Sequence, residues 1–230
     1  VLCKDFFIDE EQVYRARYFG ADAILLMLSV LDDAQYIALR DIAESLAMDV
    51  LTEVANEEEM KRAAKLDANI IGINHRDLTD LSIEPNRSAQ LAPLAPQNAL
   101  LIAESGFAEH ADIRRVAPFV NGFLIGSALS AQPDVDLACR KLLYGQNKVC
   151  GLTRAEDAIN ARSQGAVFGG LIFVERSPRC VTLKQAKQIT TEANGLEYVG
   201  VFADQPLESL IDTAKYVGLS AIQLHGHEDI

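Results

Sequence analysis

Lys4 closes the apolar run that opens the sequence, between Cys3 and Asp5, and Glu53 closes the run VLTE. A lysine at the apolar mouth of a fold can act as a general acid or as a fixed positive charge. A carboxylate facing it keeps it protonated, although a purely structural ion pair has the same signature in sequence. Asn74, Arg76 and Asp77 follow the run Ile70–Asn74. An amide and a guanidinium fork suit a substrate carrying hydroxyls and a carboxylate, or a loop satisfying its own backbone; His75 reads as a residue of that loop. Glu104-Ser105-Gly106 and Gly126-Ser127 end two consecutive runs. Small residues there bare backbone N–H groups that can hold a phosphate, or simply form turns. Cys150, in NKVCGLTR, is followed by a glycine and a helix start. It is placed as a base or nucleophile if its thiolate is stabilised, against the commoner fate of a small buried hydrophobe. Arg179, in RSPRC, can grip a carboxylate, and His225, in QLHG, is similarly placed.

The elements that must position these groups alternate regularly. Expected strands are Val1–Lys4, Ala23–Leu28, Val50–Glu53, Ile70–Asn74, Leu100–Glu104, Gly122–Ile125, Val149–Leu152, Gly170–Phe173, Tyr198–Phe202 and Ala221–Leu224. Most are continuously apolar, as in a parallel sheet covered on both faces. Helical spacing is expected in Asp9–Phe19, through Val13, Ala16, Tyr14 and Tyr18, and in Asp33–Leu46, through Ile37, Leu39, Ile42, Ala43 and Leu46. Asn56, followed by three glutamates, is an N-cap with acidic residues in the first turn. Gly20 and Gly165 stop helices, and Pro85, Pro93 and Pro96 break a longer connection.

Strand–helix alternation without a Gly-x-Gly-x-x-Gly turn favours the parallel (β/α)8 TIM-barrel type of α/β fold, whose sites lie at the C-terminal ends of the strands. About ten such units exceed one barrel of eight. Two incomplete barrels in tandem are expected, residues 1–146 and 147–230, with Leu142–Asn147 as the boundary. A different arrangement, in which units of the second half close the first barrel, would pair Gly170–Phe173 with Val1–Lys4.

The chain has 21 basic and 33 acidic side chains, a net charge of −12. That balance argues against nucleic acid or an anionic membrane as partner, but a phosphate pocket can still be built from backbone N–H groups. Cys3, Cys139, Cys150 and Cys180 show no metal spacing and no disulfide framework, which suits free thiols in a cytoplasm. No run is long enough to span a bilayer. The sequence opens on a strand without an initiating Met and closes just after another, so a segment of a longer polypeptide is expected.

Taken in order, CKDF, LTEV, GINHRDL, ESG and LIGSAL resemble indole-3-glycerol phosphate synthase; NKVCGLTR, GGLIFVERSPRC, YVGVF and QLHG resemble phosphoribosylanthranilate isomerase fused behind it, as in the bifunctional enzymes of tryptophan biosynthesis. The resemblance implies a decarboxylating ring closure and an Amadori rearrangement, on phosphorylated anthranilate-derived substrates, with no metal and no organic cofactor. It implies Lys4 as general acid, Glu53 as its partner in a proton network and Cys150 as general base. It implies Asn74, Glu104, Ser105, Arg179 and His225 as substrate contacts, with Arg76 contacting substrate or organising its loop. Gly106, Gly126 and Ser127 are implied to hold phosphate. The synthase family's E-x-K-x-x-S-P-S strand has no counterpart in this sequence, and neither has the isomerase's general-acid aspartate after a fifth strand. Each half is therefore expected to hold part of one site, with little turnover by the chain alone. Open barrel edges are expected to favour oligomers or poor solubility. Another phosphate-binding barrel enzyme is the remaining reading.

Overall fold

The computed structural model describes residues 1–78 and 80–228. The chain divides into two compact units, Val1–Ala128 and Leu129–Ile230. The first carries β1 (Leu2–Cys3), α1 (Glu10–Tyr18), β2 (Ala23–Met27), α2 (Asp33–Ser45), β3 (Asp49–Val54), α3 (Glu57–Lys65), β4 (Ile70–Asn74), α4 (Arg87–Leu91), β5 (Leu100–Glu104), α5 (His110–Val116) and β6 (Gly122–Leu124), with α6 (Ser127–Ser130) at its end. Its six strands form one parallel sheet in sequence order.

Local chemistry sets the helix starts. Asp9 and Asp32 form capping boxes with Gln12 and Gln35, and the Asn56 side chain accepts from the Glu59 N–H. Each satisfies donors that the first helical turn leaves unpaired. The inward faces of α1 and α2 differ in part from the periodicity. Val13 and Ala16 are buried, whereas Tyr14 and Tyr18 lie exposed. Tyr36 is buried with its hydroxyl 2.8 Å from Thr52 Oγ1, and Ile37 is exposed. Several apolar and aromatic residues fit either helix face at this spacing, and a polar partner on β3 selected Tyr36.

Alternation along the strands then divides the sheet into two faces. Ile24, Leu26, Leu28, Ile71 and Ile73 pack with Val13, Tyr36, Leu39, Met60 and Ala63 from the helices. Leu25, Met27 and Leu51 form a second apolar cluster with Leu2, Ile70, Ile102 and Leu124. Lys4, Glu53, Asn74 and Glu104 share the parity of this second face, one strand step or two beyond its apolar residues.

The second unit carries α7 (Val135–Tyr144), β7 (Lys148–Cys150), α8 (Ala155–Ser163), β8 (Phe168–Ile172), α9 (Leu183–Glu192), β9 (Glu197–Phe202), α10 (Leu207–Val217) and β10 (Ala221–Leu224). Its four strands are parallel, in the order β7-β8-β9-β10. Strand β8 pairs with β7 and β9, not with β1, so the ten strands do not close one barrel. Leu171, Tyr198 and Phe202 meet Ala158, Ala186, Ile189 and Leu210 in its core. Helix α7 packs within this unit through a buried arginine. Arg140 donates to the carbonyls of Ala166 and Gly195 and pairs with Asp136 at 3.0 Å. Lys141 adds an ion pair to Glu197 at 2.8 Å.

Candidate active sites

In the first unit the strand ends bring four of the expected side chains together. Lys4 Nζ lies 3.3 Å from Glu53 Oε2 and 3.3 Å from Glu104 Oε2. Asn74 Nδ2 donates to Glu53 Oε1 at 2.9 Å. Glu53, Asn74 and Glu104 are all buried, while the lysine side chain keeps 40% of its exposure. One cation thus faces two carboxylates at the edge of an apolar face.

Burial pulls the lysine's pKa down, but the charges of Glu104 and Glu53 outweigh it and hold the ammonium above its ordinary value. For Glu104, burial comes first and the Glu53 charge second; against Lys4, they push its carboxyl up to about 7. Neither Glu104 oxygen has a hydrogen bond; the contact with Lys4 is an ion pair whose alignment falls short of one. A buried carboxyl titrating near neutrality beside a fixed cation can give and take a proton under ordinary conditions.

The backbone around the cluster is specialised. Asn74 Oδ1 accepts from the Arg76 N–H at 3.0 Å, and Arg87 donates to the Asn74 carbonyl at 2.6 Å. Both fix the asparagine against Glu53. Arg76 itself donates to the Leu81 carbonyl at 3.1 Å and bridges Ile83, so its side chain organises the loop. Ser105 holds a left-handed φ of 64°, uncommon for a residue with a Cβ, and Gly106 follows at 79°. A side chain on Gly106 would press on Ile83 at 2.7 Å, so the β4–α4 loop lies over this turn. Gly126 faces open space, and Ser127 begins α6.

For His75 the sequence reading says only that it belongs to this loop. It lies in the loop as expected, but 1% exposed, its ring edge-on to Phe107. Its Nε2 accepts from the Ser88 N–H at 3.3 Å, which leaves Nδ1 to carry the proton toward the Glu104 carbonyl at 3.2 Å. Burial holds its pKa below the ordinary histidine value. The apolar Phe107 so soon after the ESG turn was the one signal of this burial.

In the second unit Cys150, Arg179 and His225 line one cavity of about 480 Å³ with Ile172, Arg176 and Ser177. Cys150 is exposed to it, and Arg179 donates to the Cys150 carbonyl at 3.0 Å. The cysteine depends on a glycine: a Cβ on Gly170 would come within 2.9 Å of Cys150 Sγ. Gly151, at φ 86°, leaves the space taken by the Arg179 guanidinium. A thiol and a guanidinium at one mouth suit proton abstraction next to a bound anion.

Known families match both units. Residues 1–142 match the indole-3-glycerol phosphate synthase model, and residues 147–230 the N-(5'-phosphoribosyl)anthranilate isomerase model. Tryptophan biosynthesis protein TrpCF of Vibrio cholerae is 55% identical over all of this chain and 49% of its own length. The TrpCF protein of Salmonella typhi is 53% identical over all of this chain and 50% of its own. A phosphoribosylanthranilate isomerase structure from Thermotoga maritima is 40% identical over 36% of this chain and 42% of its own, with a TM-score of 0.35, too low to bear on the fold. The chain spans about half the length of the curated relatives it matches. It belongs to the indole-3-glycerol phosphate synthase family and carries, behind that segment, part of a phosphoribosylanthranilate isomerase, the pairing found in the bifunctional proteins of tryptophan biosynthesis.

Proposed function

We propose that the two units contribute to consecutive steps of one pathway. The segment 147–230 serves the Amadori isomerisation of phosphoribosylanthranilate. The segment 1–146 serves the decarboxylating closure of the resulting carboxyphenylamino-deoxyribulose phosphate to indole-3-glycerol phosphate. The observation that carries the reading is the Lys4 ammonium held between two buried carboxylates, 3.3 Å from each. Ring closure develops negative charge on a ketone oxygen, and a preorganised cation stabilises charge that forms only in the transition state.

In this reading Lys4 protonates the developing alkoxide, and Glu53 holds the lysine charged and aimed. Asn74 is kept against Glu53 at 2.9 Å and meets the substrate's polar groups. Glu104, with a carboxyl near 7, receives as carboxylate the proton lost during aromatisation. The Ser105-Gly106 turn and Gly126-Ser127 offer backbone N–H groups to the phosphate. Arg76 acts through its loop. In the second unit Cys150 takes the proton from the open-chain sugar, Arg179 grips the anthranilate carboxylate, and His225 lines the pocket.

Six and four strands leave each sheet short of eight, so turnover is assigned to the longer polypeptide. Both substrates are small, phosphorylated and cytoplasmic in this reading, and neither step as written calls on a cofactor. Among the described residues no helix is long and apolar enough to cross a membrane.

The test uses a polypeptide of the relatives' full length. Lys4→Ala is expected to abolish ring closure, followed by the fluorescence of indole-glycerol phosphate, and to leave isomerisation intact. Cys150→Ala is expected to do the reverse. Loss of the wrong activity in either variant, or of neither, overturns the assignment, as does brisk ring closure by the 230-residue chain alone.

A further inference from the structure

The Lys4 cluster rests on a position that no catalytic argument uses. Gly72 lies on β4 between Ile70 and Asn74, on the face shared with Glu53 and Glu104. Its register partners are Glu53 on β3 and Ile102 on β5, whereas Glu104 is paired one inward step further along, with Asn74. A Cβ built on Gly72 collides with Glu104 Oε1 and stands 3.1 Å from Glu104 Cδ and 3.4 Å from Leu51 Cδ1. The Glu104 side chain therefore folds back along its strand and over the bare backbone of Gly72. In that position its other oxygen meets Lys4 at 3.3 Å.

Conformation does not demand glycine here. Gly72 is not among the residues with positive φ, and an alanine would fit the strand backbone better than glycine does. The constraint is space alone. Any side chain would have to share its volume with a carboxylate that is wholly buried, and would meet Leu51 beside it.

We infer that Gly72 is a positioning residue of the first site: its missing side chain is the seat of the Glu104 carboxylate, and it fixes that carboxylate beside Lys4 and Glu53. The inference deepens the ring-closure reading, on which the catalytic use of Glu104 rests, but the seat itself is a matter of packing. It also explains why Glu104 titrates as a buried acid. With a methyl group in the seat, the carboxylate has to swing toward the open mouth and solvent.

Two measurements on the 230-residue chain test it. The first follows the Glu104 carboxyl carbon by nuclear magnetic resonance from pH 4 to 9, assigned with Glu104→Gln. In Gly72→Ala its titration midpoint is expected to fall by about one pH unit or more, as burial is relieved. An unmoved midpoint overturns the seat. The second is a double-mutant cycle in urea. Gly72→Ala is expected to lower the unfolding midpoint with glutamate at 104, and to leave it unchanged or raised when Glu104→Ala has emptied the space. If Gly72→Ala alone does not fold, Gly72→Ala/Glu104→Ala is expected to fold. An equal penalty in both backgrounds, or a double variant that also fails to fold, overturns the proposal. Neither readout uses turnover. A failure of the ring-closure reading, seen with Lys4→Ala, therefore leaves this coupling in place, and a failure of the seat leaves the Lys4 result in place.

Discussion

Glu104→Gln is expected to remove most of the pH dependence that the first site imposes on stability. The carboxyl moves from an ordinary 4.5 to about 7 in the folded chain. Between those values the folded state holds a proton that the unfolded state has released. Stability is therefore fully present below pH 4.5 and declines as pH rises to 7, the sign expected when the native state binds more protons. A gap of roughly 2.5 pH units, at about 1.4 kcal/mol for each, gives about 3 kcal/mol. No solvent discount applies, since Glu104 is 0% exposed. Glutamine keeps the shape and cannot ionise. Wild type and variant are expected to differ by about 1 kcal/mol or less at pH 5, and the variant to gain up to about 3 kcal/mol over wild type by pH 8. The assay is urea unfolding by circular dichroism at pH 5, 6, 7 and 8, read as the difference between the two proteins. Groups common to both, such as His75, cancel in that difference. A flat difference across this range refutes the reasoning, because it means that the Glu104 carboxylate is not buried at a cost.

Arg140→Ala leaves the carbonyls of Ala166 and Gly195 without their donor and leaves Asp136 paired with Arg162 alone. The second unit is expected to lose about 2–3 kcal/mol. Hydrogen exchange should quicken in β8 and β9 while β2 to β5 stay protected, and uniform quickening would count against it. His75 is expected to carry its neutral-form proton on Nδ1, because Nε2 accepts from the Ser88 N–H, and to titrate below an ordinary histidine, because burial disfavours its charge. Its contribution to stability therefore falls as pH drops below about 6.5, opposite in sign to that of Glu104. Nitrogen chemical shifts that place the proton on Nε2, or a titration midpoint above that of an ordinary histidine, would contradict the assignment.

The element order was legible because its signals are local. Ile70–Asn74, Leu100–Glu104 and Ala221–Leu224 match the expected strands residue for residue. The other strands shift by at most two residues at either end, where hydrogen bonding to a neighbour rather than hydrophobicity sets the limit. Asn56 caps its helix through its own side chain, as its type requires. The position of Lys4, Glu53 and Cys150 at strand ends followed from the same local pattern, and the family followed from the motifs those ends carry.

What the sequence determined by itself was which residues end strands and which start helices, since caps, alternation and apolar runs act within a few residues. The tertiary structure decided everything that depends on a neighbour distant in the chain. It made Glu104 a second partner of Lys4, buried His75 behind Phe107 and packed α7 in the second unit. It also gave Gly72 its purpose as empty space. Register and sheet curvature set those juxtapositions, and desolvation, which moves the Glu104 carboxyl most, depends on the volume enclosed by six strands and not on any short run of residues.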